Sequence, residues 1–109
     1  MTFKTKYASY PNCEFVTNRY MNGNLALQVV SEDEGLITTC TVNPGEEVGD
    51  DFIAVKNYSE NEGMDETLKE MGIIGEKVDE IPSGFVTIPV YKLTKKGKEL
   101  FKDELNKVK

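Results

Sequence analysis

The chain has 109 residues, a formal net charge of −6, 39% apolar residues and no histidine. Its length and composition are those of one globular domain, so residues 1–109 are expected to fold around a single core. The absence of histidine excludes Ser-His-Asp and Cys-His catalysis and histidine-based zinc sites within this chain.

Three strands are predicted in the first half of the chain. Residues 13–20 are rich in β-branched and aromatic side chains, and residues 25–30 form a matching apolar run. Asn22-Gly23 lies between them and tolerates positive φ, which predicts a hairpin. Residues 36–42 predict a third strand, and Asn43-Pro44-Gly45 ends it because proline cannot donate to a ladder. Together these strands form a predicted meander.

Two more strands are predicted in the second half. Residues 52–55 are a short apolar run, and residues 85–93 alternate as a strand does. Pro89 lies inside the second of these runs and favours an edge position. Between the two strands, Ile73-Ile74 leads into a charged connection that ends at Ser83-Gly84.

Two helices complete the prediction. Met64, Leu68 and Met71 recur at helical spacing and predict a short helix over residues 62–71, with Gly72 as its C-cap. Thr94 is a good N-cap for a last helix that runs to about residue 107. The apolar face of this helix consists of Leu100, Phe101, Leu105 and Val108. The predicted fold class is α+β: an antiparallel sheet of about five strands that begins as a meander, with both helices packed on one face.

The cellular compartment is predicted from the apolar segments. Met1–Asn12 contains no signal-peptide core, and no run approaches the ~20 apolar residues that span a bilayer. We therefore expect a cytoplasmic protein without membrane contact. In that compartment Cys13 and Cys40 are expected to be free thiols, and their position in apolar strands predicts a role in the core.

No catalytic residue, metal ligand or cofactor motif is identified. The segment Asn57–Gly63 resembles an EF-hand loop, but no register places both the glycine and the final glutamate correctly. Gly72–Lys77 lacks the spacing of a phosphate-binding loop. Paired carboxylates such as Glu46-Glu47 lie in predicted loops, where they are expected to face solvent. The sequence therefore predicts a protein that is not an enzyme and takes no metal or cofactor.

Acidic residues are concentrated in the middle of the chain. Residues 31–90 contain fifteen acidic side chains and three lysines, a net charge of −12. Such a field repels nucleic acid and attracts basic protein surfaces, including those that bind nucleic acid. The acids expected to form a partner-binding surface are Glu32, Asp33, Glu34, Glu46, Glu47, Asp50, Asp51, Glu60, Glu62 and Asp65. The alternative is that they provide solubility and a favourable charge at the start of the short helix.

Lysines dominate the last segment. Residues 91–109 contain seven lysines and three acids, a net charge of +4. Lys95, Lys96 and Lys98 lie in the first turn of the last helix, where the macrodipole disfavours cations. With Lys102 they form an alternative contact surface for DNA or for an acidic partner. Solvation, or pairing with the acidic middle of the same chain, is the other interpretation.

A family resemblance rests on three segments, Tyr20–Leu27, Thr41–Asn43 and Ser83–Tyr91. They resemble a family of small acidic proteins from conjugative elements and phages of Gram-positive bacteria, over roughly residues 20–93. The chain departs from that family within residues 52–71, where an Asp-x-Asn-Asn stretch is replaced by Val55–Tyr58. The resemblance implies a mobile element that enters a defended host, a setting in which small acidic proteins are often anti-CRISPR or anti-restriction inhibitors.

Charge and resemblance together lead to two hypotheses. In the first, the chain is a non-enzymatic inhibitor that binds a host protein with a basic nucleic-acid groove, such as a CRISPR effector nuclease. It would act through its acidic surface and would not contact nucleic acid itself. In the alternative, it is an accessory or regulatory module of the element, as a monomer or a homodimer, whose lysine-rich C-terminal helix contacts DNA or an acidic partner.

Overall fold

The computed structural model describes residues 1–106, which form antiparallel sheets and short helices in a mixed α+β arrangement. The predicted α+β class is therefore confirmed. In chain order the elements are β1 (Phe3–Lys4), β2 (Ser9–Tyr10), β3 (Cys13–Arg19), β4 (Leu25–Ser31), β5 (Gly35–Thr39), β6 (Phe52–Ala54), a 3₁₀ turn (Ser59–Asn61), α1 (Met64–Glu70), β7 (Ile74–Ser83), β8 (Val86–Leu93), α2 (Lys95–Leu100) and α3 (Lys102–Asn106).

Strands β3, β4 and β5 form the predicted meander. Gly23 has a φ of +94° and donates its N–H to the carbonyl of Tyr20 (2.9 Å), so the Asn22-Gly23 hairpin is confirmed. Along β4, Leu25, Leu27 and Val29 are fully or almost fully buried. Because side chains alternate across a strand, these three place one face of the meander against the core.

A second three-stranded sheet has the order β6-β8-β7. The predicted charged connection after Ile73-Ile74 is wrong, because this segment is the ten-residue strand β7. β7 is an edge strand whose residues 76–80 are all exposed, so it lacks the apolar alternation that marks a half-buried strand. Register shifts around Lys77, the charged side chains of β7 and Pro82 make the free edge of this strand a poor template for pairing with another strand.

Pro89 does not lie on an edge strand, as the sequence predicted, because β8 is the central strand of its sheet. Its carbonyl accepts the N–H of Val55 (3.0 Å) just after β6 ends at Ala54. The N–H and C=O of one residue point to the same neighbour in an antiparallel ladder. The missing N–H of Pro89 therefore faces Val55, the residue just past β6, so no position within β6 loses a donor.

The two sheets meet at one antiparallel bridge between Thr41 and Val55. Val42 donates to the carbonyl of Ala54 (3.1 Å), and Lys56 donates to the carbonyl of Cys40 (2.9 Å). The expectation of one sheet of about five strands is therefore wrong. Cys40 still donates its N–H to the carbonyl of Leu27 (2.8 Å), so residues 40–42 stay beside β4 while their other side extends the meander toward β6.

The helices close the core that the sheets form. Met64 and Leu68 of α1 and Phe101 between α2 and α3 are buried in one cluster with Phe3 and the inner side chains of the strands. The predicted helix over residues 62–71 is confirmed as Met64–Glu70. Gly72, with a φ of +78°, donates to the carbonyl of Lys69 (2.9 Å), as a glycine just past a helix end does.

The last predicted helix is interrupted. α2 ends at Leu100, and α3 begins at Lys102, so Phe101 lies between two short helices. The N-cap prediction is confirmed, because the Thr94 hydroxyl accepts the N–H of Gly97 (3.0 Å). Leu100 and Leu105 pack against the core as expected, whereas Val108 and the predicted end at residue 107 lie outside the described residues.

The start of α2 is joined closely to the end of α1. The Thr94 hydroxyl donates to the carbonyls of Gly72 and Ile73, and Lys96 donates to the carbonyl of Met71 (2.7 Å). These bonds give partners to the carbonyl of the last cap residue of α1 and to the two carbonyls that follow it. At Gly97 the two segments touch, since an added Cβ would lie far inside van der Waals contact with the carbonyl oxygen of Ile73.

This contact predicts that Gly97→Ala destabilises the fold. The methyl group would also lie 3.0 Å from Cδ2 of Leu93, so the backbone must move, at a cost of about 1–3 kcal/mol. Gly75→Ala is the matched control, because its nearest neighbour would be 3.7 Å away. Urea unfolding of both variants measures the difference. Equal stability of the two variants would contradict the close contact.

Candidate partner-binding site

The structure divides the ten predicted acidic site residues into two groups. Five of them have a partner within the chain. Arg19 lies 2.9 Å from Asp50, and Lys98 lies 2.9 Å from Asp51. The remaining pairs are Lys56 with Glu60, Lys6 with Glu62 (2.9 Å) and the Tyr91 hydroxyl with Asp65 (2.6 Å). These five acids are therefore engaged in contacts within the chain, and the pair of Lys98 with Asp51 joins a C-terminal lysine to the acidic middle, as the intramolecular interpretation of the lysines expects.

Arg19 is the centre of a partly buried group of contacts. Its guanidinium donates to Asp50 and to the carbonyls of Gly23 (2.6 Å) and Glu104 (3.0 Å). The hydrogen bond to Asp50 raises the pKa of Arg19 above its ordinary value, although burial acts in the opposite direction. The hydroxyl of Thr17 donates to the carboxylate of Glu104, which is 5% exposed. The cluster thus attaches α3 and the loop before β6 to strand β3.

A second contact joins the segment after β1 to the segment before α1. Glu62 accepts from Lys6 and from the hydroxyl of Tyr7 (3.1 Å). The hydrogen bond from Lys6, and to a smaller extent the one from Tyr7, lowers the pKa of Glu62. At Tyr91, burial and then the hydrogen bond to Asp65 raise the pKa of the phenol. Both carboxylates therefore accept hydrogen bonds from within the chain.

The other five predicted acids are exposed in two turns. Glu32, Asp33 and Glu34 form the turn between β4 and β5, and Glu46 and Glu47 lie in the loop before β6. Within residues 1–106 none of the five makes an ion pair. The Ser31 hydroxyl accepts the N–H groups of Asp33 (3.1 Å) and Glu34 (3.3 Å), so the backbone of the first turn is fixed while its carboxylates face solvent.

The predicted lysines line two grooves beside α2, and Lys102 lies in the wall of both. Lys96 binds the carbonyl of Met71 and lines an apolar groove with Met1, Phe15 and Leu100. Lys95, Lys98 and Lys102 line another groove, of about 570 Å³, together with Lys92. Lys92 was missed by sequence reasoning. The signal was present, since Lys92 is the exposed residue between buried Tyr91 and Leu93 at the end of a strand.

Acids and lysines also pair along the basic groove. Lys98 is bound to Asp51, and Lys102 lies 3.5 Å from Glu99. Both pairs are largely exposed to solvent, where an ion pair contributes about 0–1 kcal/mol and can be exchanged for another anion. The groove therefore combines four lysines with local acidic competitors.

The outer face of the meander is a further feature that sequence reasoning did not identify. We define the outer face as Glu14, Val16, Gln28, Val30 and Leu36. The strand register pairs Glu14 with Val30, Val16 with Gln28, and Val30 with Leu36, so all five point away from the core. Val16 is 38% exposed and Leu36 is 58% exposed.

A depression of about 350 Å³ lies at one end of the outer face. Its lining includes Glu14, Val30 and Glu32. Met1 lines it as well, and its N-terminal ammonium donates to the carbonyl of Cys13 (2.9 Å). Because Glu32 begins the β4–β5 turn, the exposed apolar side chains of the outer face border the acids of that turn.

Two further observations concern the part of the chain that the structure describes, and a third concerns the comparison of the chain with known proteins. Within it, no group of three cysteine or acidic side chains is arranged to hold a metal ion. No described helix has the length and apolar character needed to cross a bilayer. Comparison with protein-family models, curated proteins and solved structures finds no match for this chain. The family resemblance therefore stays a hypothesis.

Both cysteines are free and buried, which confirms the prediction of core thiols. Cys40 is fully buried, and burial raises the pKa of its thiol to about 12. A nucleophilic cysteine needs a thiolate and access to solvent, and Cys40 has neither at neutral pH.

This environment predicts that Cys40 does not react in the native protein. In a Cys13→Ser variant, the disulfide reagent DTNB at pH 8 should not react with Cys40 of the folded chain, so the reagent releases no thionitrobenzoate. It should release one equivalent after unfolding in guanidinium. Rapid stoichiometric release from the folded variant would contradict the burial of Cys40.

Proposed function

We propose that this chain is a non-enzymatic inhibitor, carried by a mobile element, that acts in the cytoplasm of the host. It binds a host nucleic-acid-handling protein, such as a CRISPR effector nuclease, through an acidic surface. Binding blocks the groove in which that protein holds nucleic acid. The inhibitor needs no cofactor and makes no contact with nucleic acid itself.

The observation that carries this proposal is the division of the acidic residues. The fold uses Asp50, Asp51 and Glu62 in internal contacts, yet it leaves Glu32–Glu34 and Glu46-Glu47 exposed. Adjacent exposed carboxylates repel one another and add little to stability. A basic partner surface would remove the repulsion among the carboxylates of each turn. Binding is then favoured by the electrostatic free energy that this repulsion costs in the free chain.

Electrostatic complementarity also accounts for competition with nucleic acid. A groove that binds nucleic acid presents lysine and arginine side chains to a line of phosphates. Carboxylates on a turn whose backbone is fixed can pair with the same lysines and arginines. The partner then binds them without having to bend or reshape a nucleic acid. The two ligands then exclude each other from one groove.

The proposal predicts a specific loss of affinity on charge removal at the β4–β5 turn. The triple variant Glu32→Gln, Asp33→Asn and Glu34→Gln should bind a purified RNA-guided effector nuclease at least about ten-fold more weakly than the wild type. The reason is the loss of three carboxylates that face the basic groove. Calorimetry and inhibition of DNA cleavage measure the effect.

The control is a second triple variant with the same change of net charge, Glu76→Gln, Asp79→Asn and Glu80→Gln, on the exposed part of β7. It should bind as the wild type does. Wild-type affinity should also fall when the salt concentration rises from about 50 to 300 mM, because screening weakens exposed charge contacts. Salt-independent binding that leaves guide RNA loading unchanged would reject the proposed competition with nucleic acid.

One observation favours a second candidate function. Lys92, Lys95, Lys98 and Lys102 line a single groove, and a phosphate backbone has the charge that this groove would accept. In this version the chain is an accessory or regulatory module of the element, as a monomer or a homodimer, that contacts DNA or an acidic partner. The overall charge of −6 opposes DNA binding, so we rank it second.

The second candidate predicts a gel shift of labelled duplex DNA at low salt. Replacement of Lys92, Lys95, Lys98 and Lys102 by glutamine should abolish the shift, because the groove would lose its cations. Lys77→Gln, on the opposite sheet edge from β6, is the control and should retain it. Absence of any shift with the wild type near 50 mM salt would reject DNA binding.

A further inference from the structure

We propose that the outer face of the meander, with its central Val16, Val30 and Leu36, is the contact surface for a basic protein segment that also carries apolar side chains. This inference rests on the proposed function, since it specifies where the basic partner binds. It adds a requirement that charge alone does not give. The partner must present apolar groups between its lysines and arginines.

The arrangement of the apolar side chains supports this assignment. Val30 and Leu36 are directly paired across β4 and β5, and Val16 is the diagonal neighbour of Val30 across β3 and β4. Side chains in these positions are close enough to form one patch. Met21 and Phe85 are also exposed, but each stands alone at a hairpin turn. Only adjoining apolar side chains offer a partner a surface to pack on.

Folding does not explain why these three positions are apolar. The core is on the other side of β4, where Leu25, Leu27 and Val29 are buried. Threonine would give the exposed positions of a strand a similar β-propensity without exposing apolar surface. Because the three side chains adjoin one another, they form a small apolar patch and are not the scattered single exposures that need no explanation.

Charge determines which kind of partner fits. Glu14 belongs to the outer face, Glu32 lines its depression, and Asp33 and Glu34 continue the same turn. All four are exposed, and the described residues that line the depression include no lysine or arginine, although Met1 is among them. Lysine or arginine side chains can enter the depression between Glu14 and Glu32, above the apolar side chain of Val30. A second copy of this chain would bring the same acids against each other, so it is the less favourable occupant.

Two synthetic fifteen-residue peptides test the chemistry of the partner. The first has arginines on both sides of three leucines, and in the second the leucines are serines. Titrated into the full-length ¹⁵N-labelled chain, the first should shift the amide signals of Glu14, Val16, Val30 and Leu36. Its affinity should exceed that of the second by about ten-fold, which is the expected effect of burying two or three apolar side chains in part.

Matched variants of the full chain test the surface. The double variant Val16→Thr and Leu36→Thr should reduce binding of the leucine peptide about ten-fold and leave the serine peptide unaffected. Val78→Thr is the control, because Val78 is 46% exposed on strand β7 of the other sheet. Glu14→Gln with Glu32→Gln should weaken both peptides.

The outcomes separate this inference from the proposed function. Equal affinity for the two peptides, or signal shifts confined to other strands, would overturn the apolar contact surface even if the nuclease is inhibited. Sedimentation that shows self-association of the chain, lost in the threonine double variant, would assign the face to a second copy instead. Shifts on the outer face without any nuclease inhibition would support the surface and reject the nuclease as its partner.

Discussion

Hydrogen bonds around Thr41 determine how the two halves of the molecule meet. The Thr41 hydroxyl accepts the N–H of Leu27 (3.1 Å) and bonds the hydroxyl of Tyr20 (3.1 Å), so it fixes the turn toward β6 to strand β4. On its other side Thr41 forms the bridge to Val55. Thr41 is 2% exposed, so these bonds form where an unsatisfied polar group would be costly. The second sheet takes its position over the core from this junction.

The same junction determines which surfaces are left uncovered. Because the second sheet and the helices all pack on the inner side of the meander, the outer side keeps Val16 and Leu36 exposed. The acids of the β4–β5 turn extend beyond the end of this face. The position of the proposed contact surface is thus a consequence of the way the core is closed, although none of its residues belongs to the core.

Local signals in the sequence were sufficient for β3, β4, the Asn22-Gly23 hairpin and the Thr94 cap, because each depends on neighbouring residues. The errors arose where distant residues decide the structure. β5 ends early because residues 40–42 pair with β6, and β7 exists only because β8 pairs with it. Phe101 interrupts the last helix where its ring enters the core.

The candidate site, like the fold, was predictable from the sequence only where neighbouring residues determine it. The exposed acids of the two turns follow from turn chemistry and charge. The acids that the fold itself uses could not be recognised, because their partners are remote in the sequence: Arg19 for Asp50, Lys6 for Glu62 and Lys98 for Asp51. Which side chains share the outer face depends on the register of three strands. The hydrophobic pattern of the sequence does not give that register until the strand pairing is known.

Phe3 and Phe101 are fully buried in the same cluster, although they lie near opposite ends of the sequence. The hydrophobic core therefore cannot be completed while the chain is still being synthesised before residue 101. At ribosomal rates of about 5–20 residues per second, the meander emerges several seconds before the segment that closes the core. During that interval the apolar inner face of β4 lacks the C-terminal residues that cover it in the folded chain.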